Sequence, residues 1–403
     1  MYSKNEVVEF VKEEDVKFIK LAFCDVFGKQ KNVSITDNEL PRAFSAGVAI
    51  DASAIKGFGD ESHSDLFLRP DPSTLAVLPW RPEHGRVVRM FCDVTYPDGS
   101  PFKCDSRAIL KNAVKFAQEK GLSFNFGSEM EFYLFKLDEN GNRTSETYDD
   151  AGYMDVAPED KGENIRREIC LTLEQMGIYP ESSHHEEGAG QNEIDFRYSD
   201  PLTAADNAVT FRQVVSAVAH RNGLFADFSP KPIENSSGNG FHINFSVKSA
   251  DGKDVTEHCI AGVLHRIEES TVFFNATENS YKRLGAFKAP SYIAWSKENR
   301  SELIRIPAAA EEYRRAELRS PDPLINPYIA FALIIYSAFE GIINSEKLPP
   351  PADFNMYKAS EETLKNYKKL PATLSAAREK AKNSAFIAKY LPKTVISAYC
   401  ENI

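Results

Sequence analysis

The chain has 403 residues, of which 42% are hydrophobic, so it is long enough for roughly two to three domains with sizeable cores. Its 48 basic and 59 acidic residues give a formal net charge of −11, and the acids are spread along the chain. This balance argues against nucleic acid or an anionic membrane as the main partner.

Several features favour a cytoplasmic protein over an exported or membrane-bound one. The N-terminal sequence "MYSKNEVVEFVKEED" lacks the apolar segment of a secretory signal. The six cysteines lie far apart without a C-x-x-C pair, which is typical of reduced thiols rather than of disulfides or a zinc site. The longest apolar run, residues 327–343, is short for a bilayer and contains Glu340, so it predicts a buried core helix.

The first hundred residues are rich in predicted strands. The sequence "VKFIKLAFCDVFGKQKNVSI" predicts a hairpin whose turn is "DVFGK". A dense cluster of turn-forming residues at 95–107 then precedes the helix-like sequence "AILKNAVKFAQEKG". We therefore place a domain boundary near residue 104, which gives an N-terminal domain of residues 1–104 and a C-terminal domain of residues 105–403.

Beyond the boundary, predicted strands and helices alternate irregularly, which indicates an α+β fold. The predicted elements are strands at 123–136, 190–198, 240–248 and near 313–319, and helices at 162–177, 203–222, 257–276 and 326–343.

Polar residues two apart on these strands share a face, because successive side chains of a strand point to opposite sides. In "FGSEMEFYLF" this rule puts Glu129 and Glu131 together, and in "GFHINFSV" it puts His242, Asn244 and Ser246 together. Neighbouring carboxylates on an otherwise apolar strand are costly unless a cation binds them. A solvent-exposed strand face is the alternative interpretation.

Two further segments add carboxylates and cations. In "RRAELRSPDP" the residues Arg315, Glu317 and Arg319 share a face, and "SSHHEEGAGQNEIDF" carries Glu186 before a Gly-rich turn and Glu193 on the following strand. Mostly oxygen ligands with one imidazole suit Mg²⁺ or Mn²⁺, and five carboxylates are too many for one ion. The sequence therefore predicts at least two divalent ions, although any one of these acids taken alone could be a salt-bridged surface residue.

A zinc-protease site is excluded, because no second histidine follows His185 at i+4 and the glycines would interrupt a helix. Divalent ions beside arginines instead indicate a phosphate-handling site. No G-x-x-x-x-G-K-[ST] loop is present, so the site is not of the P-loop type. For single arginines a plain surface counter-charge is the alternative. The candidates are Arg283, Arg300, Arg305, Arg315 and Arg319.

The segments "GSEMEF", "SSHHEEGAGQNEIDF", "FSPKP", "GNGFH", "NSYKRL", "NRSELIRIP" and "RRAELRSPDPLINPYIAFA" resemble, in order and approximate spacing, the motifs of the glutamine synthetase family, bacterial type I. The resemblance extends over nearly the whole chain. It implies an N-terminal β-grasp domain, then a catalytic domain with an antiparallel, half-barrel-like sheet and helices, in a homo-oligomeric ring whose active sites lie between subunits. The implied reaction phosphorylates the γ-carboxylate of glutamate with ATP, and ammonia then displaces the phosphate to give glutamine.

The resemblance also implies roles for individual residues. One metal ion would be held by Glu131, Glu186 and Glu193, and the second by Glu129, His242 and Glu317. Arg300, Arg305 and Arg315 match contacts to the ATP phosphates and the transferring group, and Ser246 matches a nucleotide contact. Arg283, Arg319, Gly238 and Ser237 match the glutamate subsite. Asp51, in "IDASAIKGF", matches the acid that helps bind and deprotonate ammonium in the neighbouring subunit, and Asp65, in "ESHSDLFLRPDPST", matches a second acid of that wall.

The chain departs from the family pattern around the acceptor amine. The family's flap carries a glutamate that attracts ammonium and takes its proton, whereas here the flap is one residue shorter and Lys288 stands in that place. A cation there repels ammonium and is a poor base near neutral pH unless desolvation lowers its pKa strongly. Ala54, Ser237 and Asn244 also replace family residues, and the sequence stops at "AYCENI", before the C-terminal helix that clasps an opposite ring.

Three hypotheses follow from this uneven pattern. The first is an ATP-dependent ligase of the glutamine synthetase type that uses ammonia despite Lys288. The second is a ligase of the same class with a different amine or acid as substrate. The third is a non-catalytic protein that keeps ATP and metal binding, with Lys288 in the place of the substrate cation through pairing with Asp51. Another acid, such as Glu187 or Asp65, could also replace the missing glutamate.

Overall fold

The computed structural model of the chain describes residues 2–59, 62, 64–81, 84–308 and 314–401. Within these residues, the N-terminal part forms a six-stranded sheet with two α-helices. Its elements are α1 (Lys4–Glu13), β1 (Val16–Cys24), β2 (Gln30–Thr36), α2 (Leu40–Ala46), β3 (Val48–Asp51), β4 (Asp65–Pro70), β5 (Ala76–Val77) and β6 (Arg86–Thr95). Among the described residues the strand order is β2-β1-β6-β4-β3, with β5 beside β6. β1 runs parallel to β6, and the other pairings are antiparallel.

The predicted hairpin is confirmed, and its turn packs on the rest of the molecule. The Asp25 carboxylate accepts hydrogen bonds from the backbone N–H groups of Phe27 and Lys29 at 3.0 and 2.9 Å, which closes the turn. Gly28 adopts a positive φ of 78°, and a Cβ there would lie 2.6 Å from the Cα of Asn326. Only glycine therefore fits at this contact.

The C-terminal part is built on a larger sheet flanked by helices. Its elements are α3 (Ser106–Glu119), β7 (Leu122–Leu137), β8 (Arg143–Thr147), α4 (Glu163–Gln175), β9 (Pro180–His185), β10 (Gln191–Ser199), α5 (Pro201–Arg221), β11 (Leu224–Asp227), β12 (Phe241–Ser249), α6 (Thr256–Phe274), α7 (Glu278–Arg283), β13 (Trp295–Lys297), β14 (Ile304–Ile306), β15 (Ala316–Leu318), α8 (Pro327–Ile343), α9 (Glu361–Leu364), α10 (Leu374–Lys382), α11 (Ala385–Tyr390) and α12 (Lys393–Cys400).

The larger sheet places β7 next to β10 and β12. In the described chain the strand order is β13-β14-β15-β12-β7-β10-β9, with β8 and β11 also paired to β7. Each predicted strand and helix of this part is confirmed within a few residues, except that residue 313 of the predicted strand near 313–319 lies outside the described residues. The short strands β8, β9, β11, β13 and β14 were not predicted.

The apolar run at 327–343 is confirmed as a core helix, α8, whose residues from Pro327 to Gly341 are all buried. It crosses α6 at very short range, because a Cβ on Gly262 would lie 2.2 Å from the carbonyl oxygen of Ser337. Among the described helices, none combines the length and hydropathy needed to cross a bilayer.

A buried cluster of charges joins the two sheets. Arg107, at the start of α3, donates to Asp206 of α5 at 3.0 and 3.1 Å, to Asp93 of β6 at 3.0 Å and to Asp71 at 2.9 Å. The hydroxyl of Tyr328 donates to the same Asp206 carboxylate at 2.6 Å. Because Arg107 is only 4% exposed, these contacts fix the N-terminal sheet against α5 and α8.

Candidate active site

Four carboxylates lie side by side on β7 and β10. The antiparallel register puts Glu131 opposite Glu193 and Glu129 opposite Asp195, so all four point to the same face of the sheet. Glu131 and Glu193 are each only 8% exposed. The predicted shared face is therefore confirmed, and the alternative of a solvent-exposed strand face does not hold.

His242 of β12 extends this group to the next strand pair. It lies opposite Glu129, and its Nδ1 is 3.3 Å from a Glu129 oxygen and 3.6 Å from a Glu317 oxygen on β15. Its Nε2 is 3.8 Å from Glu131. Ligand atoms of Glu129, His242 and Glu317 all lie within 4.8 Å of one another, as do those of Glu131, Glu193 and His242.

Glu186 reaches the group from the turn after β9. Its Oε1 lies 3.1 Å from Nε2 of His184, and His184 is paired in register with Glu193. His184, Glu186 and Glu193 form a further set of potential metal ligands. The sequence prediction missed His184 because the polar strand β9 has no apolar alternation. It also missed Asp195, although Asp195 stands two residues from Glu193 and the same face rule could have found it.

The electrostatics of the group indicate a site for cations. Burial and then the neighbouring carboxylates Asp195 and Glu131 raise the pKa of Glu193 well above its ordinary value. Burial and then Glu129 raise the pKa of Asp195 to about 7. Burial is the largest single influence on Glu129 and acts to raise its pKa. The hydrogen bond and charge of His242, the hydrogen bond from Asn244 and the charge of Arg315 together outweigh burial and lower the pKa of Glu129 to about 2. Buried carboxylates that raise one another's pKa, as Glu193 and Asp195 show, fit binding of divalent ions.

Arginines fix the positions of two of the predicted metal ligands, Glu317 and Glu129. Arg305 Nη1 and Arg319 Nε donate to the two oxygens of Glu317 at 2.8 and 3.1 Å. Each carboxylate oxygen keeps a further lone pair for a metal ion. Arg315 Nε donates to Asn244 Oδ1 at 3.0 Å, and Asn244 Nδ2 donates to Glu129 at 2.7 Å. Asn244 thereby connects an arginine to a predicted metal ligand.

Arg283 and the loop around Gly238 form another wall. Arg283 is 3% exposed and donates to the carbonyl oxygens of Ser320 and Arg319 at 2.7 and 3.2 Å, while desolvation lowers its pKa. A Cβ on Gly238 would lie 2.5 Å from the carbonyl oxygen of Pro230 and 2.9 Å from Arg283. The close approach of this loop to Arg283 therefore requires glycine.

These side chains surround a cavity of about 700 Å³. A second cavity, of about 630 Å³, shares Glu129, Asp195 and Arg315 as lining residues and is also lined by Ser246. The predicted residues that line the first cavity are Glu129, Glu131, Glu186, Glu193, Ser237, Gly238, His242, Arg283, Lys288, Arg300, Arg305, Arg315 and Arg319.

The flap residue Lys288 lies at the mouth of the first cavity. Its Nζ forms an ion pair with Glu187, the residue after Glu186, and lies 5.8 Å from the ring centre of Tyr153. The Lys288 side chain remains 62% exposed. Within the chain the partner of Lys288 is thus Glu187 and not Asp51.

Asp51 and Asp65 lie apart from the other predicted residues. They face each other in the last described pair of the β3–β4 hairpin and are exposed. Hydrogen bonds from the hydroxyl and backbone N–H of Ser53, at 2.7 and 2.9 Å, lower the pKa of Asp51. Neither acid is among the described residues that line the two cavities, and residues 61 and 63 of the adjacent predicted segment lie outside the described residues.

Comparisons with known proteins agree with this geometry. Residues 15–97 match the model of the glutamine synthetase beta-Grasp domain, and residues 103–402 match that of the glutamine synthetase catalytic domain. Glutamine synthetase of Methanosarcina mazei is 45% identical over 413 residues, covering 98% of this chain and 92% of its own length. That of Clostridium saccharobutylicum is 44% identical over 414 residues, covering 99% and 93%. The solved structure of GmaS in complex with ADP has a TM-score of 0.88 at 27% identity, covering 98% of this chain and 94% of its own. The chain belongs to the glutamine synthetase family.

Proposed function

We propose that this protein makes glutamine from glutamate, ammonia and ATP, by way of γ-glutamyl phosphate. The observation that carries the proposal is a pair of potential metal-ligand sets that share His242 and lie beside several arginines; the sets are Glu129, His242 and Glu317, and Glu131, Glu193 and His242. Relatives named glutamine synthetase, which match nearly the full chain at 44–45% identity, favour ammonia over another amine as the acceptor.

We assign two Mg²⁺ or Mn²⁺ ions to this donor set, for which the sequence predicts at least two. One would be held by Glu131, Glu186 and Glu193, and the other by Glu129, His242 and Glu317. Bound there, such ions would supply positive charge that offsets the negative charge of the phosphates and of the transferring group. The raised pKa of Glu193 supports this assignment, because a crowded buried carboxylate needs a cation to stay ionised.

We assign ATP to the second cavity and its phosphates to the boundary between the two cavities. Ser246 lines the second cavity, and Arg315 lines both. Arg300 and Arg305 line the first cavity, where they can donate paired hydrogen bonds to phosphate oxygens. The solved structure of the relative GmaS holds ADP, which supports nucleotide binding by this fold.

We assign glutamate to the wall formed by Arg283, Arg319, Gly238 and Ser237. Arg319 and Arg283 are 4% and 3% exposed, so they offer guanidinium groups in a desolvated setting where carboxylate pairing is strong. Gly238 allows the backbone of its loop to approach the substrate closely.

We further infer that Asp51 completes the site of a neighbouring subunit in a ring, because it is exposed and does not line either of the two cavities described in its own chain. Mixing inactive Asp51→Asn subunits with inactive Arg319→Met subunits, followed by dissociation and reassembly, should restore part of the activity. Failure of the mixture to regain activity, with assembly confirmed by native mass spectrometry, would contradict a shared site.

The free cysteines of the described chain are consistent with a reducing cytoplasm.

The direct test of the proposed reaction is transfer of isotope. Purified protein with Mg²⁺, ATP and ammonium should convert glutamate labelled with ¹⁸O in the γ-carboxylate into glutamine and should place one labelled oxygen in the released phosphate. Arg319→Met should abolish both products. Absence of glutamine at saturating ammonium would refute the proposal.

A further inference from the structure

The Nζ of Lys288 lies among groups that suit a small cation. The Glu187 carboxylate pairs with it, and the ring centre of Tyr153 lies 5.8 Å away. The hydroxyl of Ser237 is 3.4 Å from the second oxygen of Glu187. A carboxylate, an aromatic ring and a hydroxyl together form a recognition set for an ammonium group. We call these three residues, Glu187, Tyr153 and Ser237, the cation seat.

The flap backbone is held independently of the Lys288 ammonium group. The hydroxyl of Tyr357 donates to the Lys288 carbonyl oxygen at 2.6 Å, and the Gly285 N–H donates to the Ala289 carbonyl oxygen at 3.2 Å. Phe287, which precedes Lys288 on the flap, is held by Lys231, whose Nζ lies 4.0 Å from the centre of the Phe287 ring. The flexible Lys288 side chain can therefore leave the seat while the flap backbone stays in place.

The pair is also open to exchange. The Lys288 and Glu187 side chains are 62% and 32% exposed, and exposed ion pairs are held weakly. A lysine head group and a free ammonium ion offer the same chemistry, a compact positive nitrogen with hydrogen-bond donors. Either one can satisfy Glu187, but both cannot do so in the same position.

We propose that the cation seat binds the acceptor ammonium and that Lys288 is a tethered competitor for it. The replacement of the flap acid by a lysine is thereby offset by an acid at Glu187. This inference rests on the proposed function in one respect, namely that the cation bound in the seat is the ammonium ion consumed in glutamine synthesis. The larger the fraction of protein in which Lys288 occupies the cation seat, the higher the KM for ammonium.

The two members of the pair should have opposite effects when substituted. Lys288→Met frees the cation seat and should lower the KM for ammonium about two- to sixfold. The reason is that Lys288, as a weak internal ligand, reduces the apparent affinity for ammonium by the fraction of the time that it occupies the seat. Glu187→Gln removes the anionic group and should raise that KM. The KM values for ATP and glutamate should change less than twofold in both variants.

The double variant separates competition from general repulsion. In the Glu187→Gln background, Lys288→Met should no longer lower the KM for ammonium, because there is no anionic seat left to free. If Lys288→Met lowers the KM equally in both backgrounds, the lysine acts by long-range repulsion and the proposal is wrong. Lys282→Met and Glu174→Gln, on exposed positions of α7 and α4, are the matched controls and should leave the KM unchanged.

A structural readout tests the seat without catalysis. Crystals of the assembled Lys288→Met protein, loaded with Mg²⁺ and soaked in Tl⁺ as a probe for ammonium, should show anomalous scattering in contact with Glu187. The Glu187→Gln, Lys288→Met double variant should not. Lack of a Tl⁺ peak at Glu187 in the single variant would overturn the proposal even if glutamine is made. A Tl⁺ peak in a protein that makes no glutamine would support the seat and refute the proposed function.

Discussion

Asp195→Asn should stabilise the metal-free protein above neutral pH, although it alters the centre of the site. Folding raises the pKa of Asp195 from an ordinary 3.8 to about 7, first through burial and then through Glu129. A carboxyl with a raised pKa in the folded state costs stability when it is ionised, so this cost is absent below about pH 4 and complete above about pH 7. Asparagine keeps the shape of the side chain and can still accept the hydrogen bond from Ser182.

The size of the effect follows from the two pKa values. Each pKa unit corresponds to about 1.4 kcal/mol, so the cost at pH 8 approaches about 4 kcal/mol. Because neighbouring carboxylates share this repulsion, we expect Asp195→Asn to raise the free energy of unfolding by about 2 to 4 kcal/mol. For a chain of this length that corresponds to a Tm about 2 to 5 °C higher.

The assay is thermal unfolding with EDTA at pH 4 and pH 8, repeated at pH 8 with Mn²⁺. The gain should appear at pH 8, vanish at pH 4 and shrink when Mn²⁺ is added, because the ion compensates the same charge. Glu139→Gln, at an exposed loop position, is the control and should change little. An unchanged or lower Tm for Asp195→Asn at pH 8 without metal would refute the interpretation of this site as a group of buried, mutually repelling carboxylates.

Three further substitutions test the framework around the site. Arg107→Met should lower the free energy of unfolding by about 3 to 5 kcal/mol in urea titrations, because it removes the guanidinium group that pairs with the largely buried Asp206 carboxylate. Gly262→Ala should cost about 1 to 3 kcal/mol in the same titrations, since its Cβ would lie 2.2 Å from the main chain of α8. His185→Ala should weaken Mn²⁺ binding about 10- to 100-fold in EPR titrations, because the fully buried ring links Asp149, at 2.8 Å, to the backbone that carries a metal ligand. Unchanged stability in either of the first two variants, or unchanged Mn²⁺ affinity in the third, would contradict these roles.

The strand periodicity of the sequence was sufficient to predict the core of the site. Two-residue spacing placed Glu129 with Glu131 and His242 with Asn244, and the registers of β7, β10 and β12 confirm these faces. This succeeded because the intervening residues, such as Met130 and Ile243, are apolar and fully buried. A strand with one apolar face can satisfy its core in only one orientation.

Other parts of the site have no local signature. Strand β9, "PESSHH", is polar throughout, so nothing in its sequence marked it as a strand or directed His184 toward Glu193. The ion pair of Lys288 with Glu187 joins residues 101 positions apart and depends on how the flap meets the turn after β9. The position that we propose for Asp51, in the site of a second subunit, depends on assembly, which no pattern within one chain specifies.

The most direct test of the account is crystallography of the assembled protein with Mn²⁺ and a non-hydrolysable ATP analogue. Anomalous scattering should locate two Mn²⁺ ions in each site, one bound by Glu131, Glu186 and Glu193 and the other by Glu129, His242 and Glu317. The triphosphate should lie against both ions. Density for the nucleotide without either ion, or with the glutamates turned away from it, would contradict the central claim that this acidic group is a two-metal phosphoryl-transfer site.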